Sequence, residues 1–142
     1  MKNTSSIPMY LDKKGIMEVY EASLKSDAVD IVCMSHNYQA VLGDYFDNTY
    51  APRLYDNCRQ TREILPQKDL KNASPESDRK KHQVRYVTTN ETSESDMMIF
   101  DNKVVLISFS HESPFAIVIS DKEIVNGFKV RFAALWKACE VE

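Results

Sequence analysis

Two apolar runs, Met97 to Phe100 and Val104 to Phe109, flank the polar corner Asp101-Asn102-Lys103, and they constrain the fold more than any other part of the chain. Both are apolar at successive positions rather than alternating, the pattern of strands covered on both faces, as when helices flank a sheet. Asp-Asn and Asn-Lys corners tolerate the positive φ of a tight two-residue turn, so the runs read as a central β-hairpin turning at Asn102-Lys103 or one residue earlier. With Asp101 opposite Val104, Asp96 lies across from Phe109, Ser95 from Ser110 and Glu94 from His111, which makes the open end of the hairpin polar.

The flanking sequence supplies further strands and the helices. Ile16, Val19, Tyr20 and Leu24 recur at helical spacing and predict a helix from about Lys13 to Ser26. Ala28 to Met34 is a buried strand with its exit at Ser35-His36-Asn37. From Tyr38 to Cys58, Val41, Tyr45, Phe46, Tyr50, Leu54 and Tyr55 fall near one face of one long helix or two short ones, with a kink or restart at Pro52. The tyrosines of that stretch read as core. Gln60 to Leu65 alternates as a strand and stops at Pro66. Ser74-Pro75-Glu76 reads as an N-cap with proline at the first helical position, predicting a small surface helix to Lys81. Arg79, Lys80, Lys81, His82 and Arg85 form the one basic cluster, read as a solvated face. Val84 to Thr88 and Phe115 to Ile119 complete about six strands. The last helix opens on a capping box of Ser120 and Glu123, and its apolar stripe runs from Ile124 to Cys139. Gly127 inside it costs about 1 kcal/mol against alanine, which points to close packing there.

A chain of 142 residues, 43% hydrophobic and 27% charged, supports one domain with a core of its own. A formal net charge of -3 argues against a grip on nucleic acid by this chain alone, since phosphate binding rests on clustered Lys and Arg. Cys33, Cys58 and Cys139 are odd in number, widely spaced and set in apolar patterns, so they read as buried reduced thiols. No apolar run approaches the roughly 20 residues that span a bilayer, and residues 1–9 read as a flexible lead without a signal core, so the expected location is the cytoplasm.

The hairpin resembles the signature of the phospholipase D-like superfamily, whose pattern is His-x-Lys, four residues, Asp, an apolar strand, then Gly-Ser-x-Asn. Aligned on Asp101, the chain has Glu94 in the histidine position, Asp96 in the lysine position, and Ser108-Phe109-Ser110-His111 in place of Gly-Ser-x-Asn. Only the aspartate matches. The wider text, Asp30 to Asn37, Arg62 to Pro66, Ser95-Asp96 to Ser108 and Phe128 to Trp136, is similar to the C-terminal effector domain of TrmB-like transcriptional regulators. That resemblance implies a single phospholipase D-like half over residues 10–142, an α/β domain with a mixed sheet of about six strands flanked by helices. It also implies a non-catalytic, ligand-sensing effector role without a cofactor. A homodimer is expected, because the superfamily's sites are built from two signature halves and this chain carries one. DNA would be reached only through an attached winged-helix domain absent from this sequence.

The candidate site is the polar rim of Ser35, His36, Asn37, Glu94, Ser95, Asp96, Ser110 and His111, set at strand ends where α/β sheets bind ligands. A phosphate about 4 Å from a carboxylate meets repulsion of roughly 4 kcal/mol at an effective dielectric near 20, so a small uncharged or cationic ligand suits the rim better than an anion. Solvated loop residues are the plain alternative. Zinc held by His36 and His111 with Asp96 or Glu94 has no supporting His-x-His or Cys-x-x-Cys spacing. A Ser35-His111-Asp96 triad has no Gly-rich elbow. Two other classes stay open at this point, a divergent phosphodiesterase using Asp96, Glu94 and His111, and an assembly module with no ligand.

Overall fold

The computed structural model describes residues 7–58, 60–66 and 81–141. In chain order the elements are β1 (Met9–Leu11), α1 (Asp12–Ser23), β2 (Ala28–Val32), α2 (Tyr38–Leu42), a π-helical turn (Phe46–Tyr50), α3 (Ala51–Asn57), β3 (Gln60–Pro66), β4 (His82–Val87), β5 (Ser95–Phe100), β6 (Lys103–Ser108), β7 (Phe115–Ile119), α4 (Lys122–Ala138) and β8 (Glu140–Val141). The strands form one sheet in the order β1-β7-β6-β5-β2-β3-β4-β8. β2, β3 and β4 are parallel and the remaining pairs antiparallel. The expected six strands are β2 to β7, and the two edge strands bring the total to eight. Those edges are three and two residues long, too short to show a periodicity in sequence.

The sheet is a septum between two cores. One face, carrying Val29, Ile31, Met98, Phe100, Val105 and Ile107, packs under α1, α2 and α3. The other, carrying Ile64, Ile99 and Val104, packs under Val125, Phe132 and Trp136 of α4. That double cover is why both arms of the hairpin are continuously apolar. The tyrosines belong to the first core, where Tyr20, Tyr45, Phe46 and Tyr50 form one ring cluster with centroids 4.4 to 6.3 Å apart. The restart at Pro52 is there too, since the π-helical turn gives way to α3 with the proline in its first turn.

Three local expectations change. The turn takes the earlier position: Asp101 and Asn102 adopt φ of 49° and 59°, and Phe100 pairs with Lys103. Asp96 therefore faces Ile107 rather than Phe109, and Ser95 faces Ser108. The two-residue slip preserves which face each side chain takes, but it carries Ser110 and His111 beyond the last strand pair. At α4 the cap is Asp121, not Ser120; its Oδ2 accepts the Ile124 N–H at 2.9 Å. The basic cluster is not uniformly solvated either. His82 is buried and its Nδ1 is 2.8 Å from the Thr61 hydroxyl, while Arg85 stacks 4.5 Å from the Trp136 ring. Arg79, Lys80 and the helix expected from Ser74 lie outside the described residues.

Close packing at a glycine occurs at Gly15, not Gly127. A Cβ on Gly15 would stand 2.4 Å from the Tyr10 carbonyl carbon, because α1 folds straight back on β1, whereas one on Gly127 would meet only the Arg131 guanidinium at 3.5 Å. Gly15→Ala should therefore destabilise the fold by about 3 kcal/mol, the backbone having no low-cost way to yield. Gly127→Ala should instead stabilise it by up to about 1 kcal/mol through helix propensity. Urea unfolding of both variants checks the pair of opposite signs.

Candidate functional site

The parallel strand β2 leaves the sheet at its C-terminal end beside β5, and Asp96 stands at that junction. Asp96 shares the face of Met98 and Phe100, so its side chain enters the α1–α3 side, where it is buried. Its Oδ1 accepts the backbone N–H groups of Met34 at 2.8 Å and Ser35 at 3.0 Å, and its Oδ2 accepts the Tyr38 hydroxyl. Two residues back on the same face, Glu94 accepts the His36 N–H at 2.8 Å through Oε1. Asn37 completes the tie: its amide nitrogen donates to the Phe109 carbonyl at 3.0 Å, and its N–H to the Ser35 hydroxyl at 3.0 Å.

Six of the eight sequence-predicted residues are thus brought together or placed in register. Ser35, His36, Asn37, Glu94 and Asp96 form the tie, and Ser95 sits between the two carboxylates but projects to the opposite face, where its hydroxyl is 2.9 Å from that of Ser93. Ser110 and His111 are exposed on the loop after β6, and the Ser110 N–H bonds only to the Ser108 hydroxyl at 3.4 Å. Both Asp96 oxygens and the Oε1 of the exposed Glu94 thus accept from the chain's own donors. Burial pushes the Asp96 carboxyl up to about 6, against the opposing pull of the Tyr38, Ser35 and Met34 donors, with the Glu94 charge adding to the rise. Among the described residues no group of three or more His, Cys, Asp or Glu is placed to hold a metal ion.

A second buried polar group escaped the sequence reading. Glu63 of β3 is 8% exposed, and its Oε1 accepts the Tyr55 hydroxyl at 3.0 Å. The Tyr55 ring packs edge-on to His82 at 5.0 Å. Burial raises the Glu63 carboxyl to about 7, the Tyr55 bond only partly offsetting it. The signal was available in the alternation of β3, which puts Glu63 on the same inward face as Thr61.

No family model matches the chain, and no curated protein does. Solved structures do. TrmBL2, an archaeal chromatin protein with a novel mode of DNA binding, superposes with a TM-score of 0.68 at 17% identity over 100% of this chain. NucT from Helicobacter pylori superposes at 0.67 with 11% identity over 96% of this chain and 99% of its own. Nuc from Salmonella typhimurium, a phospholipase D family member, does so at 0.63 with 12% identity over 96% of this chain and 97% of its own. The chain has the phospholipase D fold. It spans 56% of the TrmBL2 chain, and nearly the whole length of the two others. The two carboxylates of the tie differ in exposure, Asp96 being buried and Glu94 exposed.

Asp96→Ala strands the buried Ser35 N–H, the half-buried Met34 N–H and a phenol, and should cost about 3 kcal/mol. Glu94→Ala removes one exposed bond and should cost under about 1 kcal/mol; chemical denaturation separates them. The pH dependence has a definite sign. A carboxyl raised from 4.5 to about 7 favours the fold while protonated, so the stability linked to Glu63 is complete below 4.5 and is lost as pH rises through 7. That rise corresponds to roughly 3 kcal/mol at most. Glu63→Gln should raise the melting temperature at pH 8 and leave it nearly unchanged at pH 4; thermal melts at the two pH values read this directly.

Proposed function

We propose that this chain is a non-catalytic effector domain of the kind found in TrmB-like transcriptional regulators, a phospholipase D-like half that has exchanged phosphate chemistry for signal relay. The observation that carries the reading is the tie at Asp96 and Glu94. Phospholipase D-like chemistry needs a nucleophile on phosphorus and a cation for the phosphate oxygens. Here the alignment on Asp101 puts two acceptor-only groups in those positions, with both Asp96 oxygens accepting from Met34, Ser35 and Tyr38 and Glu94 Oε1 accepting from His36. A phosphate entering there would meet carboxylate at both positions. In this reading the open end of the hairpin is a joint between β2 and β5 rather than a receptor. The likeness to TrmBL2, a longer DNA-binding chromatin protein, supports a DNA reader attached outside this segment. A single signature half supports pairing with a second copy.

The test is direct. Incubation with a chromogenic phosphodiester, with and without divalent metal, should give no turnover above buffer; turnover that Asp96→Ala abolishes would establish the hydrolase reading instead. Light scattering at tens of micromolar, an order-of-magnitude working range, should give the mass of a dimer, and a monomer there would remove the pairing from the proposal.

A further inference from the structure

Helix α4 covers only part of its face of the sheet. On the opposite face Val105, Ile107 and Ala116 are sealed at 0%, 1% and 0% exposure, yet their chain neighbours Leu106 and Ile117 remain half-buried although β6 and β7 are interior strands. The gap is a cleft of about 580 Å³ between α4 and β5 to β7, walled by Met97, Leu106, Ile117, Phe128, Phe132 and Leu135. That is the size and character of a small-molecule site, predominantly apolar with few polar groups.

The polar groups of the cleft are three serine hydroxyls, one carboxylate and one guanidinium, and the Ser93 and Ser95 hydroxyls are bonded to one another at 2.9 Å. Ser93, Ser95 and Ser108 line it with hydroxyls, and Ser95 is paired with Ser108 across β5 and β6. Asp96 also borders it, but its oxygens are turned to Met34, Ser35 and Tyr38. The one charged group left is Arg131, whose guanidinium lies 5.3 Å from the Phe128 ring centroid and 3.5 Å from where a Cβ on Gly127 would be. The guanidinium thus lies back along the helix toward Gly127, in ordinary contact distance of a side chain there. Arg53 has Glu21, Arg62 has Asp30, and Arg85 has the Trp136 carbonyl, whereas Arg131 has no acceptor among the described residues.

We propose that this cleft binds an amphipathic carboxylate, a small monoanion with an apolar body. Arg131 and the Ser95 and Ser108 hydroxyls would take the carboxylate, and the Phe128–Phe132–Leu106 wall would take the body. A guanidinium over an aromatic face, in a cleft also lined by hydroxyls, favours an anion, and the apolar wall gains from burying hydrocarbon. A cationic head would be placed beside Arg131 with no free carboxylate to meet it. The regulatory meaning of such a ligand rests on the effector reading, but its binding does not.

The experiment titrates the full chain with decanoate below its micellar concentration, and with decyltrimethylammonium as the cation of equal tail, by calorimetry and amide chemical shifts. Decanoate should bind saturably and shift Ser95, Leu106 and Phe128, and the cation should not. R131Q should weaken decanoate about tenfold, the loss of one charge-assisted contact. L106W, which fills the cleft, should abolish binding; should it fail to fold, the exposed R131Q still decides. Absence of saturable decanoate binding, equal binding of both tails, indifference to R131Q, or shifts confined to α1 would each overturn the proposal. None of these readouts involves phosphodiester turnover, so the site and the non-catalytic reading fail separately.

Discussion

Burial of β5 and β6 on both faces is the constraint from which the other arrangements follow. Strands apolar at every position must be enclosed between two layers, and the chain meets this with three helical pieces on one side and the single helix α4 on the other. The two layers are unequal. The α1–α3 side is closed by a ring cluster of four aromatic side chains, while α4 leaves Leu106 and Ile117 half-open. No helix of the described residues is long and apolar enough to cross a membrane.

At the junction of β2 and β5 two effects oppose one another at Asp96. Desolvation raises the carboxyl toward 6, and three donors pull it down. Desolvation wins as a shift in protonation, yet the tie still holds the structure, because removing the acceptor would leave two loop N–H groups and a phenol without a partner. Tyr38 links the tie to the core: its ring stacks on Phe46 at 4.4 Å and meets Phe109 edge-on at 5.0 Å. The β2 exit, α2 and the hairpin are thereby one mechanical unit. Glu94 adds a second rung to the same loop, but an exposed one that water can replace.

The long, doubly covered elements were legible in the sequence, because their apolar pattern is set by burial. β7 spans Phe115 to Ile119 as its apolar run does, and α1, β2 and β3 begin and end near their periodic residues. What escaped reading depends on single atoms. The hairpin turn slipped because Asp-Asn and Asn-Lys both accept positive φ, and only the cross-strand fit chooses between them. Close packing was expected at Gly127 and occurs at Gly15, since a glycine's reason lies in what approaches it across space. The site residues Ser35, His36, Asn37, Glu94 and Asp96 were legible as a group because they flank neighbouring strands. That they would satisfy one another was not, because backbone donors leave no trace in composition.

Ser95 and Asp96 show how closely the two faces are coupled. They are consecutive on β5, so one reaches the α4 cleft and the other the tie at Met34 and Ser35. Close-packed interiors do not deform smoothly, and a group inserted against Ser95 and Ser108 can move β5 only by moving Asp96 with it. Asp96 in turn can shift only by breaking or re-aiming its bonds to the β2 exit. In the proposed reading, the absence of a phosphate site and the presence of a relay are two consequences of one pair of carboxylates, which repel a phosphate and also fasten a loop to the hairpin. A lysine at the Asp96 position would leave the Met34 and Ser35 N–H groups without an acceptor, so in this chain the tie and a phosphate cation are mutually exclusive occupants of one place.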